Sequence, residues 1–165
     1  MIAPLPAILR QLHASLATHA PEQAITILQE AGYAAGEGLY KAFTAANNPA
    51  ELDADLLAPT LSEFFTSSGW GAVTVTPVGT GALAVDSSDW AEAEPGTAQT
   101  PMCFFSAGML ADFLGRLSEE TVAVMEVECR SKGDERCRFL SATPVVLEKV
   151  YTEMTQGRTY EEALA

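Results

Sequence analysis

Leu5, Ile8, Leu9, Leu12 and Leu16 recur three and four residues apart behind Pro4 and Pro6, which predicts a first helix that ends at Ala20-Pro21. From Pro21 the positions Ile25, Leu28, Gly32, Ala35 and Leu39 keep that period to about Ala46, giving a second helix. Its face is partly small: Gly32, Ala35 and Gly36 let another element come close. Asn48-Pro49-Ala50-Glu51 has the form of an N-cap, a first-turn proline and a capping-box glutamate. Leu52, Leu56, Leu57, Leu61, Phe64 and Phe65 carry a third helix onward, which Pro59 is expected to kink or split.

After Gly69-Trp70-Gly71 the period falls to two. "AVTVTPV" and "ALAVDS", joined at "GTG", predict an antiparallel hairpin. Residues 86–101, "DSSDWAEAEPGTAQTP", are aperiodic and acidic and predict a long loop, a type of segment that often serves as a lid or binding element. Trp90 in that loop is either a plug over the core or a ligand contact. A fourth helix follows from Met102 to Leu117, then a strand at 121–130, a turn at "SKGDE", a strand at 136–141 and a helix from Pro144 to Gln156 stopped by Gly157. Thr159 and Glu162 can cap a short terminal helix. The fold class is α+β: a small four-stranded antiparallel sheet with helices stacked on one side. Residues 1–20 form a separable helix and residues 21–165 the main domain.

A length of 165 residues and a hydrophobic content of 48% suffice for one buried core. The charge of −13, from 22 acidic against 9 basic residues, excludes nucleic acid and anionic membrane as main partners. The N-terminus lacks a basic region followed by a continuous apolar run, so a cytoplasmic location is expected. Three cysteines in such a chain do not suggest a disulfide framework.

Cys129 and Cys137 flank the second hairpin, Glu126 precedes Cys129 by three residues, and Cys103 opens the fourth helix. Their spacing leaves three readings open: a zinc site, a packed pair of reduced thiols, or a redox pair. Arg130, Lys132, Arg136 and Arg138 either offset thiolate charge or are solvated hairpin residues. In a regular strand Glu126 and Cys129 face opposite sides, so both reach one ion only if the strand is bulged or twisted there; Glu128 competes as a ligand and has the same difficulty. "GEGLYK" is no dinucleotide motif, since no strand precedes it and a third glycine is missing. His13 and His19, six apart, fall on different helical faces and make no shared site, and the other acidic residues read as solvated surface.

Residues 101–144 resemble the C-terminal half of the 4-vinyl reductase domain family. The match is carried by Cys103 with Gly108, Glu126 with Cys129, and Gly133-Asp134 before Cys137. "EAGYAAGEGLYKAF" and "VDSSDWAEA" resemble the family's glycine-rich helix and pre-loop strand end. The same arrangement occurs in sensor domains of phenol- and xylene-responsive activators and, more distantly, in vesicle-tethering subunits of Golgi transport. The resemblance implies that fold and a structural zinc held by Cys103, Glu126, Cys129 and Cys137. It also implies a domain that binds a hydrophobic or aromatic molecule, tetrapyrroles included, as a sensor or carrier. The alternatives are a bacteriochlorophyll-biosynthesis 4-vinyl reductase or its accessory protein, and a protein-tethering scaffold. No catalytic constellation supports an enzyme.

Candidate pocket walls are Phe64, Phe65, Trp70, Trp90, Phe104, Phe105, Leu110 and Phe113. Burial of about 150 Å² of ligand surface yields roughly 4 kcal/mol, and micromolar affinity requires about 8 kcal/mol, so polar contacts or preorganisation must supply the rest. At 165 residues the chain has no room for the ATPase and helix-turn-helix of the sensor relatives. Signalling is therefore expected to run through a partner protein or a homodimer, with the first helix as the dimer contact.

Overall fold

A computed structural model describes residues 4–165; the first three residues of the 1–20 segment lie outside the described residues. The helices are α1 (Leu5–His19), α2 (Ala24–Ala46), α3 (Ala54–Ser67), α4 (Phe104–Ser118), α5 (Pro144–Thr155) and α6 (Tyr160–Leu164). The strands are β1 (Thr74–Val78), β2 (Ala82–Ser87), β3 (Ala123–Glu128) and β4 (Cys137–Ala142), paired antiparallel in the order β1-β2-β4-β3. The expected α+β class with a four-stranded antiparallel sheet holds. No described helix is long and apolar enough to cross a membrane.

The helices are not confined to one side. Phe139 and Val85 on one face of the sheet join Phe43, Leu61, Phe65 and Phe113 in a core built with α1 to α4. On the opposite face Ala84, Leu140 and Ala142 pack with Leu147 and Val150 of α5 and Tyr160 and Leu164 of α6. Strands covered on both faces carry apolar residues at consecutive positions, as in Phe139-Leu140 and Ala123-Val124-Met125, rather than in strict alternation. α6 is set by a capping box, with Thr159 accepting from the Glu162 N–H and Glu162 from the Thr159 N–H.

The third helix divides before the expected point. Asn48 caps only a short 3-10 turn at Pro49–Glu51, Leu52 is extended, and Asp53 caps the true helix by accepting from the Asp55 and Leu56 N–H groups. Pro59 lies within the continuous α3. A well-formed aspartate cap leaves the proline near enough to the N-terminus that only one early hydrogen bond is forfeited.

α2 and α4 cross in direct backbone contact. A Cβ built on Gly32 would lie 2.0 Å from the Phe105 carbonyl oxygen, and one on Gly108 would lie 2.1 Å from that of Gln29. Gly36 faces the Asp112 side chain. The small face predicted for α2 thus positions the N-terminal half of α4, from which the site is built.

Candidate functional site

The strand-parity difficulty is solved by a β-bulge. Glu126 pairs with Phe139 and Glu128 with the next residue, Arg138, so Val127 is the extra residue between them. Glu126 consequently turns to the helix-facing side. Its Oε2 accepts from the Cys103 N–H at 3.0 Å, at the start of α4. Glu128 turns away: it pairs with Arg136 at 2.5 Å and accepts from the Tyr160 hydroxyl at 3.0 Å. Beyond the bulge, Gly133 at φ 107° closes a tight turn, and the Asp134 carboxylate accepts from the Cys129 N–H at 2.8 Å.

One ligand atom from each of Cys103, Glu126, Cys129 and Cys137 lies within 4.8 Å of all the others. The Cys103 and Cys129 sulfurs stand 3.9 Å apart, and all three thiols are free and buried. That separation is too long for a disulfide; the edge of a tetrahedron with metal–sulfur bonds of about 2.3 Å is about 3.8 Å. The other oxygen of Glu126, Oε1, is buried without a hydrogen-bond partner among the described residues. An orphaned carboxylate oxygen beside three thiols is costly unless a cation is bound, so the donor set fits a soft divalent ion.

Electrostatics agrees with that chemistry. Burial raises the Glu126 carboxyl to about 8, helped by the neighbouring Cys129 thiolate and opposed by the Cys103 N–H. The hydrogen bond it receives from Cys103, with a second from Cys137, lowers the Cys129 thiol far below its ordinary value. Cys103 is raised correspondingly. Two of the nearby cations are engaged by carboxylates. Arg138 forms a two-point pair with Asp86, at 2.8 and 2.7 Å, and Lys132 pairs with Asp134 at 3.1 Å.

The aromatic residues named from the sequence fall together, but in a packed core. Phe65, Trp90, Leu110 and Phe113 are buried, and Phe64 and Phe105 are half-buried against them. Phe65 meets Trp90 and Phe113 edge-on, while Trp70 stacks on Trp90 and Phe105. Phe104 is half-buried at the first turn of α4. Trp90 is a plug: it is 1% exposed and donates from Nε1 to Ser106 Oγ at 2.7 Å. Its loop is pinned to the cysteine hairpin by N–H groups of Glu94, Gly96 and Ala98 donating to Ser131 Oγ, the Arg130 carbonyl and the Ser131 carbonyl.

Two features were invisible in the sequence pattern. Glu92, read there as solvated surface, is buried and accepts from the Phe105 and Ser106 N–H groups at the start of α4; His13 of α1 sits 2.8 Å from it. The second is a cavity of about 480 Å³ beside the aromatic core, with walls from Leu57 and Leu61 of α3, Leu114 and Leu117 of α4, and Val75, Leu83 and Val85 of the sheet. Ser141 lines the same cavity. Strand alternation in β1, β2 and β4 brings these residues to one face; the signal was Leu83, an apolar residue that remains 46% exposed in the middle of a sheet.

Both the bulged hairpin and the Trp90 loop fall in one matched segment. Residues 88–142 match the 4-vinyl reductase domain. The resemblance drawn from residues 101–144 is borne out by this match. No curated protein sequence matches the chain. Among solved structures, this chain with its 4-vinyl reductase segment is similar to the phenol-responsive sensory domain of the transcription activator PoxR with phenol, at 19% identity and TM-score 0.63, covering 94% of this chain and 82% of that one. It is also similar to a trafficking protein particle complex subunit 3 from Naegleria fowleri covalently bound to palmitic acid, at 13% identity and TM-score 0.63, covering 84% and 93%. A vinyl-4-reductase family protein from Methanocaldococcus jannaschii aligns with TM-score 0.46 at 18% identity, covering 86% and 95%. The first two share the fold in which this 4-vinyl reductase segment is set.

Proposed function

We propose that this protein binds a small apolar or aromatic molecule in the cavity between α3, α4 and the sheet, and acts as a sensor or carrier of it. The observation that carries the reading is the cavity itself, about 480 Å³, walled by leucine and valine from three elements of a fold whose aromatic core is otherwise filled. The two fold neighbours, one with phenol and one with palmitic acid, are each named with a largely apolar ligand, which supports the same reading. A saturating neutral aromatic such as 2-naphthol should raise the melting temperature. At a hundredfold excess over Kd the gain is about 2.7 kcal/mol, or roughly 5–10 °C for a chain of this size. Leu117→Trp fills the cavity and should abolish the rise; a rise that persists in that variant places the ligand elsewhere and removes the proposal.

We further propose that Cys103, Glu126, Cys129 and Cys137 hold a structural zinc ion. The orphaned Glu126 oxygen within the thiol cluster supports it. Four protein donors leave no open position for water, so the ion would lend stability by tying the bulged hairpin to α4. For assembly, Ile8 and Leu12 remain exposed on α1 and favour the homodimer reading. Light scattering should show a dimer mass that drops by half when residues 1–20 are deleted; an unchanged number of subunits would refute it.

A further inference from the structure

We infer that the cavity selects an uncharged apolar molecule bearing one hydroxyl or carbonyl, and that Ser141 is the residue that reads this polar group. The inference rests on the proposed binding cavity and specifies its ligand class. Ser141 lies on β4 directly opposite Leu83 of β2 and Val124 of β3, on the helix-facing side of the sheet. The residue is 7% exposed and lines the cavity. Its hydroxyl has no hydrogen-bond partner among the described residues, although nearly every buried side-chain polar atom around it is paired. A hydroxyl that deep, set in an apolar wall, lacks the compensation that a ligand donor or acceptor would provide.

Charge sets the second half of the specificity. No lysine, arginine or histidine lines the cavity among the described residues, and its one charged lining residue is Glu120, which is exposed at the rim. The chain as a whole carries −13. A carboxylate would have to shed its hydration in such a site with no cation to receive it, next to a like charge. The site therefore rejects free acids, whereas a neutral hydroxyl can both donate to and accept from Ser141.

Three isosteric probes separate these effects: naphthalene, 2-naphthol and 2-naphthoate, titrated at neutral pH by fluorescence. The expected result is that 2-naphthol binds about tenfold tighter than naphthalene, matching one neutral hydrogen bond. The naphthoate should show no measurable binding. Ser141→Ala should bring naphthol and naphthalene to equal affinity while leaving naphthalene binding intact, which also shows that the variant is folded. Equal affinities in the native chain, an unchanged ratio in Ser141→Ala, or naphthoate binding as tight as naphthol would each overturn the inference while the cavity reading stands. Failure of all three probes to bind would overturn the cavity reading and the inference with it.

Discussion

Chelation of the metal, or the substitution Cys129→Ser, is expected to unfold this protein under conditions in which the metal-loaded chain is stable. Binding of a structural zinc ion contributes on the order of 10 kcal/mol at neutral pH, comparable to the entire net stability of a domain. The ion's four proposed ligands lie at the first residue before α4, on the bulged end of β3, just beyond it, and at the start of β4, so its loss releases the hairpin from the helix. Far-UV circular dichroism with and without chelator, beside elemental analysis of untagged protein, reads this directly. Metal content near zero in protein purified without chelator, together with an unchanged melting temperature in Cys129→Ser, would contradict it.

The metal-free chain carries a pH signature of definite sign. Folding raises the Glu126 carboxyl from an ordinary value of 4.5 to about 8. The folded form therefore holds a proton that the unfolded form releases in this window. Below about 4.5 both forms are protonated and there is no penalty; as pH rises toward 8 the metal-free protein loses stability. Metal uptake at neutral pH should accordingly release protons, from this carboxyl and from the thiols that become ligands.

Gly32→Val should be among the most damaging single changes elsewhere in the chain. The new Cβ would fall 2.0 Å from a backbone oxygen of α4, which cannot rotate away. The helices must separate or tilt, at about 3 kcal/mol or more, which corresponds to roughly 6–12 °C in melting temperature. Phe105 lies two residues past Cys103, so the displacement would also reach the thiol cluster. Gly38 on the same helix provides the opposite result. Nothing lies within 4 Å of its Cβ position, so Gly38→Ala should stabilise by about 0.5–1 kcal/mol through helix propensity alone. Thermal melts of the two variants that move in the same direction would contradict this account of the crossing.

Elements and their order were legible because periodicity reports burial within one segment. The small face of α2 and the alternation of the first hairpin needed only neighbouring residues to be recognised. Facts that depend on pairing between distant segments were less legible. The bulge at Val127 follows from register against β4, so residue spacing alone could pose the Glu126–Cys129 conflict without resolving it. Asp53 and Asn48 are both good caps, and which one starts the helix depends on how Leu52 packs against the core. Helices on the second face of the sheet were signalled by consecutive apolar residues in β3 and β4, a pattern that also suits a strand buried on one side with a mixed edge. Glu92 resembled its acidic neighbours until α4 placed two N–H groups beside it. The aromatic residues attracted attention as pocket walls because of their size, yet large rings fill space well, and the cavity is walled by leucine and valine instead.

The central claim is that a small apolar molecule occupies the space between α3, the C-terminal half of α4 and the sheet. Methyl-resolved NMR of the metal-loaded protein during titration with 2-naphthol tests it most directly. The account predicts saturable shifts at the methyls of Leu61, Leu83, Val85, Leu114 and Leu117, with those of Leu147 and Val150 on the opposite face unmoved. Shifts confined to the opposite face or to α1, or no saturable shift at all, would contradict it.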